Sequence, residues 1–248
     1  MTEFLVFTLY APLASWGDEA VGEIRGSWDR PSRSAILGLS AAALGLTRDA
    51  ETEHAELDAM VGIAVRVARS GSAFADYHTA QYPTGVAMRK FKPATRKAAL
   101  ECADPDTTLS RRTLREDALH VVALWQRRPA RWSLSDLAAA LREPVFPLYA
   151  GRKAHALGLP LGGRVVPAVS IAQALASMPA LPPELHRLKP DGGWGREVSF
   201  DPTTTVPDGF EPATRRSIRR RDAQPHRQRW QFAERVVHVA MLPAEVAR

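Results

Sequence analysis

Phe4 to Tyr10 alternates loosely between apolar and polar positions and is rich in aromatic and β-branched side chains, which predicts a central β-strand. Ala11-Pro12 ends it, and a glycine-rich connection follows with Trp16, Gly17, Gly22, Arg25, Gly26 and Trp28. Each tryptophan is open to two readings, core anchor or stacking platform, with the core expected for one of them. Pro31-Ser32-Arg33-Ser34 then introduces AILGLSAAALGL, a small-residue helix to about Leu46 whose free amides Ser32 or Ser34 can cap. Glu51 to Met60 reads as a short acidic amphipathic helix, Val61 to Ala68 as a second strand, and Leu119 to Trp125 as a third. Ser133 to Asp136 has capping-box spacing; it opens a helix to about Arg142, ended by Pro144. Phe146 to Tyr149 is expected as a fourth, short strand.

Between the second and third strands, from about 70 to 117, apolar periodicity is lost. This insert holds DYHTAQYPTG, RKFKPATRK, an acidic DPD turn and SRRTLRED. So long a loop without its own structure is unusual in a compact domain, so a projecting hairpin is expected. Strand, helix, strand, insert, strand, helix, strand is the order of an α+β, ferredoxin-like (RRM-like) βαββαβ domain, assigned to residues 1–163 with an inserted thumb hairpin. Residues 164–248 form a small, β-rich C-terminal extension. It offers a possible edge strand at Val165-Val166, a short helix from Ser170 to Met178, a strand at Val198 to Phe200 and a final strand from Gln231 to Leu242.

The junction, LYAGRKAHALGLPLGG from Leu148 to Gly163, carries glycines at 151, 158, 162 and 163. Glycine reaches positive φ and lets the main chain approach a ligand closely. Exposed amides there can bind anions, with Arg152 and Lys153 adding charge. The alternative is a plain turn joining two parts of the chain.

Composition narrows the classes. At 248 residues and 45% apolar content, the chain can bury a full-sized core. One cysteine, Cys102, allows neither an intrachain disulfide nor a cysteine zinc cluster and suits a reducing cytosol; no basic neighbour activates it, so it is read as inert. No apolar run approaches a membrane span, and the N-terminus is not signal-like, so a soluble cytoplasmic protein is expected. Charge matters through its distribution. The segment 215–229 holds seven arginines against one acid, Asp222, a local excess as large as the surplus of the whole chain, 33 basic against 27 acidic residues. Arg215, Arg216, Arg219, Arg220 and Arg221 make up its dense part, a basic surface that calls for a polyanion.

Enzyme signals are thin. Phosphate-loop, dinucleotide, HExxH and nucleophile-elbow motifs are all missing from the sequence, and its seven histidines show no metal-ligand spacing, so neither metal nor cofactor is expected. His120 and His238 fall inside predicted strands. His78 beside Tyr77, and His155 near Tyr149 and Lys153, supply the ingredients of a metal-independent RNA cleavage, without the distances. The insert interleaves Tyr77, His78, Tyr82 and Phe91 with Lys90, Lys92, Arg96 and Lys97, as single-strand RNA-binding surfaces do; the same pattern suits a solvated hairpin packed on its parent domain.

Three ordered blocks carry a family resemblance: the first strand with APLASWG and RPSRSAILGLSAAALG, then DYHTAQ with SRRTLREDALHVVAL, then PLYAGRKAHALGLPL. With the C-terminal RQRWQFAERVVHV they cover most of the chain, apart from roughly 170–215. The chain resembles the CasD family, the CRISPR-associated subunit that holds the 5′ handle of the guide RNA in type I-E Cascade. That resemblance implies a non-catalytic RNA-binding subunit of a ribonucleoprotein complex for antiviral defence. Its implied partners are the crRNA 5′ handle, the backbone subunit and the large subunit, with possible contact to target DNA. A repeat-cleaving endoribonuclease and a purely structural subunit are the alternatives. Arg33, Arg152 and Lys153 occupy motif positions suited to handle phosphates, and Tyr77 and His78 begin the thumb. Lys90, Lys92, Arg111 and Arg112 complete the expected RNA-contact set.

Overall fold

The computed structural model describes residues 1–17, 20, 22–101, 105–177, 179–226, 229 and 231–246. Cys102, and Arg227 of the basic segment, lie outside the described residues. Strand β1 (Thr2–Ala14) is buried along almost its whole length because it lies inside the sheet, between β7 (Pro105–Gln126) and β8 (Arg164–Ala168). Among the described residues the main sheet has the order β10-β11-β9-β5-β7-β1-β8. Here β5 is Val61–Arg69, β9 Glu197–Phe200, β10 Arg216–His226 and β11 Gln231–Met241. Before them, β2 (Trp16–Gly17) and β4 (Ser27–Trp28) form a separate two-stranded ladder, and β3 (Ile24–Arg25) runs parallel to β7.

Both faces of the sheet are buried, as near-continuous apolar strands require. Leu5, Phe7 and Leu9 of β1 face helices α1 (Arg33–Ala43), α2 (Glu51–Met60) and α5 (Leu134–Arg142). Phe4 and Val6 face the other way, with Trp125, Phe200 and Phe210, against α6 (Ile171–Ala176). The expected α+β class holds, and residues after 163 supply three of the sheet's strands beyond β8 as well as its second covering layer. Ser133 and Asp136 close the capping box, each side chain bonded to the other's backbone amide.

One strand assignment is corrected. Phe146 to Tyr149 is not a strand, because its approach is spent elsewhere: the amides of Val145 and Phe146 donate to the Ala43 and Ala42 carbonyls at 3.0 and 3.1 Å. These bonds satisfy the free end of α1, and β8 takes the open edge of β1.

The insert is an antiparallel hairpin of β6 (Ser72–Pro83) with the first half of β7, paired from Ser72↔Glu116 to Pro83↔Pro105. Its far end carries two short helices, α3 (Gly85–Phe91) and α4 (Arg96–Leu100). The second half of β7 passes into the main sheet between β1 and β5. Asp117 marks the change of direction, with φ of 53°, a left-handed conformation aspartate tolerates better than most residues. Its carboxylate accepts from Tyr10 Oη at 2.8 Å and its carbonyl from Arg69 Nε at 3.1 Å, which fixes the angle at which the hairpin leaves the sheet.

Nearly all of β6 is exposed, so the outer hairpin contributes little to the core. Replacing residues 76–112 by an Asn-Gly turn joining Ala75 to Thr113 is expected to leave a cooperatively unfolding protein. A circular-dichroism melt checks this; loss of the cooperative transition would place the hairpin's aromatics in the core.

Candidate nucleic-acid interface

A cleft of about 1360 Å³ runs between α1, the 146–152 loop, the β2–β4 ladder and the β10–β11 hairpin. The floor is small because α1 presents Ala35, Gly38 and Ala42 to it, and the space beside Gly38 is empty. The loop is fixed by Gly151, whose φ is +84° and whose Cβ, were there one, would lie 1.9 Å from the Ser15 carbonyl oxygen. Ser15 donates its amide to the Ala150 carbonyl at 3.1 Å, and the Tyr149↔Ala156 bridge closes the turn. Backbone glycine therefore lets the loop lie against the end of β1, which carries Arg152 to the cleft wall.

Arg25 and Arg152 line the cleft, and Arg112 stands beside them on the neighbouring strand, so three cations from separate elements come together at its edge. Arg25 pairs with Arg112 across the β3–β7 ladder, and both act on Arg152. Partial burial, then the charges of Arg112 and Arg25, pull the Arg152 guanidinium below the ordinary arginine range, with Asp76 opposing them. Asp76 stands opposite Arg112 in the hairpin register. Among the described residues no carboxylate lies within ion-pair distance of Arg25, Arg112 or Arg152. Arg25 stood in the glycine-rich connection without a role; its only signal in sequence was the flanking Gly22 and Gly26.

Other expected contact residues are dispersed. His78 follows Asp76 on β6, its Nδ1 4.0 Å from that carboxylate, while Tyr77 is paired with Arg111 on the rung between. Strand alternation turns Tyr77 and Arg111 to the opposite face from Asp76 and Arg112. Lys90 and Lys92 sit at the far end of the hairpin, with Lys90 Nζ 5.3 Å from the Phe91 ring centre. Seven β-residues separate the Asp76 rung from the end of β6, about 23 Å of strand, so these lysines are not part of the cleft. Lys153 is exposed beside Arg152. His155 is buried, and that burial pushes its imidazole below the usual range.

Arg33 is corrected outright. Its side chain is 7% exposed and engaged: Nε pairs with Asp58 at 2.9 Å, Nη1 pairs with Asp201, and Nη2 donates to the Val61 carbonyl at 3.0 Å. With four of its five N–H groups bonded inside the protein and the side chain buried, this guanidinium serves the fold and is not an exposed phosphate contact. The basic run likewise divides, because β10 is a strand. Arg215 pairs with Asp208, Arg216 with Glu197 at 3.6 Å, and Arg219 with the exposed Glu234 at 3.6 Å. Arg221 Nε donates to the Phe232 carbonyl at 3.1 Å. Arg220 is buried, its guanidinium 4.4 Å from the Trp28 ring centre. Arg219, Arg220 and Arg221 line the cleft; Arg215 and Arg216 do not.

What holds this wall is an ion network that sequence reading missed. Arg235 of β11 reaches Asp222 at 2.5 Å and Asp201 at 2.6 Å, while Asp222 also accepts from the Arg33 amide at 2.8 Å, at the start of α1. The partners are up to 189 residues apart in sequence, beyond any local pattern.

Fold and site together define an α+β protein with a projecting hairpin and a cation-lined cleft between a helix and a strand pair. The chain belongs to the family described as CRISPR-associated protein (Cas_Cas5), whose model matches residues 4–238. The CRISPR system Cascade subunit CasD of Escherichia coli (strain K12) is 28% identical over 169 residues, 65% of this chain and 70% of that protein. Among solved structures, a chain of a CRISPR RNA-guided surveillance complex superposes with a TM-score of 0.61 at 24% identity, over 98% of this chain and 92% of that one. Another, described as a Cas protein, gives 0.57 at 25% identity, over 98% and 96%. Among the described residues there is no helix long and apolar enough to cross a membrane, and no cluster of three metal-ligating side chains.

Asp222 makes the wall pH-sensitive. Burial pushes its carboxyl up, but the bonds and charge of Arg235, the Arg33 amide and Arg220 outweigh this and hold it below the usual carboxylate range. A depressed folded-state pKa gives stability that is present above the unfolded value, about 3.9, and is lost as pH falls through the folded value. Asp222→Asn is therefore expected to cost about 3 kcal/mol at pH 7, with the gap to the parent closing below about pH 4. Denaturant midpoints measured across that range check it; a gap constant with pH would remove Asp222 from the acid transition.

Proposed function

We propose that this chain is the non-catalytic RNA-binding subunit of a CRISPR Cascade surveillance complex and holds the 5′ handle of the crRNA along the cleft. The observation that carries this is the convergence of Arg25, Arg112 and Arg152. Three guanidiniums with no ion-paired carboxylate repel one another in the free protein, and a phosphate backbone relieves that repulsion. Family membership, and the names of the relatives as a Cascade subunit and part of an RNA-guided complex, support the same reading.

The antiparallel order β5-β7-β1-β8, with α1, α2 and α5 on one face, supports a ferredoxin-like domain with the β6–β7 hairpin as its thumb. In this reading the RNA-binding domain runs past the expected boundary at 163 to take in β8, ending at Ala168, and the chain after it is the extension that walls the cleft. Exposed Tyr77, Val86 and Phe91 offer the thumb's apolar surface to the backbone subunit. Arg215 and Arg216, which lie outside the cleft, are left for the large subunit or target DNA. A cytoplasmic setting fits the assembly.

Each single-strand phosphate contact contributes about −0.7 to the slope of log affinity against log salt. Changing Arg25, Arg112 and Arg152 together to Gln is expected to flatten that slope by about 2 for repeat RNA bearing the handle. An unchanged slope in a natively folded triple variant would move the RNA out of this cleft. The same chain, incubated with repeat RNA in a chelator, is expected to leave it intact over hours. Single-site cleavage abolished by changing His78 or His155 would instead make it a nuclease.

A further inference from the structure

The two tryptophans of the glycine-rich connection are partners in the β2–β4 ladder, Trp16 opposite Trp28, but have opposite fates. Trp16 is sealed in the core, edge-on to His120 at 5.8 Å. Trp28 is 37% exposed, belongs to none of the core clusters, and lines the cleft. Arg220 lies over its ring, 4.4 Å from the centroid.

Arg220 is unusual in its own right. It is 5% exposed, has no ion pair among the described residues, and its buried Nη2 lacks a hydrogen-bond partner. Burial, and then the charge of Arg235 and Arg30, pull it below the ordinary arginine range despite Asp222 and Asp29. A cation left so poorly solvated is stabilised by the indole face it covers. The cost of ordering both side chains is met in the free protein, so the ring is preorganised. Its remaining surface opens on a cleft that also holds Tyr149 and Phe146, both partly exposed, and Arg25 three residues earlier in the chain.

We propose that Trp28, backed by Arg220, is a stacking platform for one unpaired nucleobase of the bound RNA, with a purine preferred. The proposal deepens, and rests on, the reading of the cleft as an RNA site. Phosphates meet Arg25 and Arg152, and the base between them lies on the indole, giving a stack of base, tryptophan and guanidinium. Stacking needs no base-edge hydrogen bond, so it tolerates sequence and favours the larger purine surface.

The test uses the full chain and a single-stranded oligoribonucleotide of the repeat, scanned with 2-aminopurine and with abasic positions. One position is expected to show quenched 2-aminopurine emission with the parent protein, restored in Trp28→Leu and kept quenched in Trp28→Phe. Trp28→Leu is expected to bind roughly 5- to 150-fold more weakly. An abasic nucleotide at that position should weaken binding to the parent by a similar factor and leave binding to Trp28→Leu unchanged. Trp28→Leu binding as tightly as the parent, while the Arg25, Arg112 and Arg152 variant is weakened, would overturn the platform and leave the RNA cleft standing. Weakening of Trp28→Leu that couples to no base would make Trp28 structural and also overturn it. Affinity unaffected by either set of changes would overturn both readings. Should Trp28→Leu fail to fold, the scan on the parent and Trp28→Phe decides alone: no quenched position means no platform.

Discussion

Asp201 is 3% exposed, and around it Arg33, Arg127 and Arg235 converge from the start of α1, the end of β7 and the middle of β11, while the Ile63 amide of β5 donates at 3.0 Å. Removing this many charges from water costs several kcal/mol per ion, and only a complete set of partners offsets it. The network therefore rewards one seating of the β10–β11 hairpin and penalises every partial one. Asp222 extends it from Arg235 to the first amide of α1, so that the helix and the hairpin are tied at one end. The cleft is the space left between them farther along. Its width follows from where the ions meet and from the alanines and glycine that α1 presents.

The same accounting explains which arginines remain for a ligand. A guanidinium near a carboxylate settles into the protein, as Arg33, Arg30 and Arg215 do. Arg25 and Arg112 sit instead on matching rungs of a parallel ladder, where like charges oppose the pairing. A short strand of two residues would gain little from that arrangement alone. The Arg111 amide bonds to the Glu23 carbonyl at 2.9 Å, and this backbone contact holds the charges together against their repulsion. On the proposed reading, a polyanion at this spot would relieve the repulsion that the free fold carries.

The sequence could show elements whose cause is local. Apolar runs placed β1, β5 and the inner half of β7; Ser133 and Asp136 announced α5; lost periodicity marked the insert from 70 to 117. It could not show elements whose cause is distant. Phe146 to Tyr149 has strand-like side chains, but its preceding amides serve the end of α1, a fact of tertiary contact. Arg33 stands in a motif that invites a phosphate, and Asp58, 25 residues away, together with Asp201, 168 residues away, engages its charge. Clustering in sequence overstated the basic run for the same reason: once extended as β10, neighbouring arginines face different partners. The cation cluster was invisible as a cluster because its members lie at 25, 112 and 152.

Trp16 and Trp28 show how far local sequence leaves a residue undetermined. Both follow a serine and stand in a glycine-rich setting, yet one is core and the other is open. The difference traces to His120, fully buried on β7, where desolvation lowers its pKa to about 4 and keeps the ring neutral at physiological pH. Its Nε2 is 2.9 Å from the Asp29 carbonyl, which can only accept, so Nε2 carries the proton. That bond pins the residue after Trp28 to the sheet, and Arg30, bonded to Asp29 and Glu197, pins the next. Trp28 is thereby held by its neighbours in sequence rather than by burial of its own ring. An aromatic side chain fixed at its backbone and covered on one face by a cation, but left open to a cleft, loses little further freedom when a planar partner arrives.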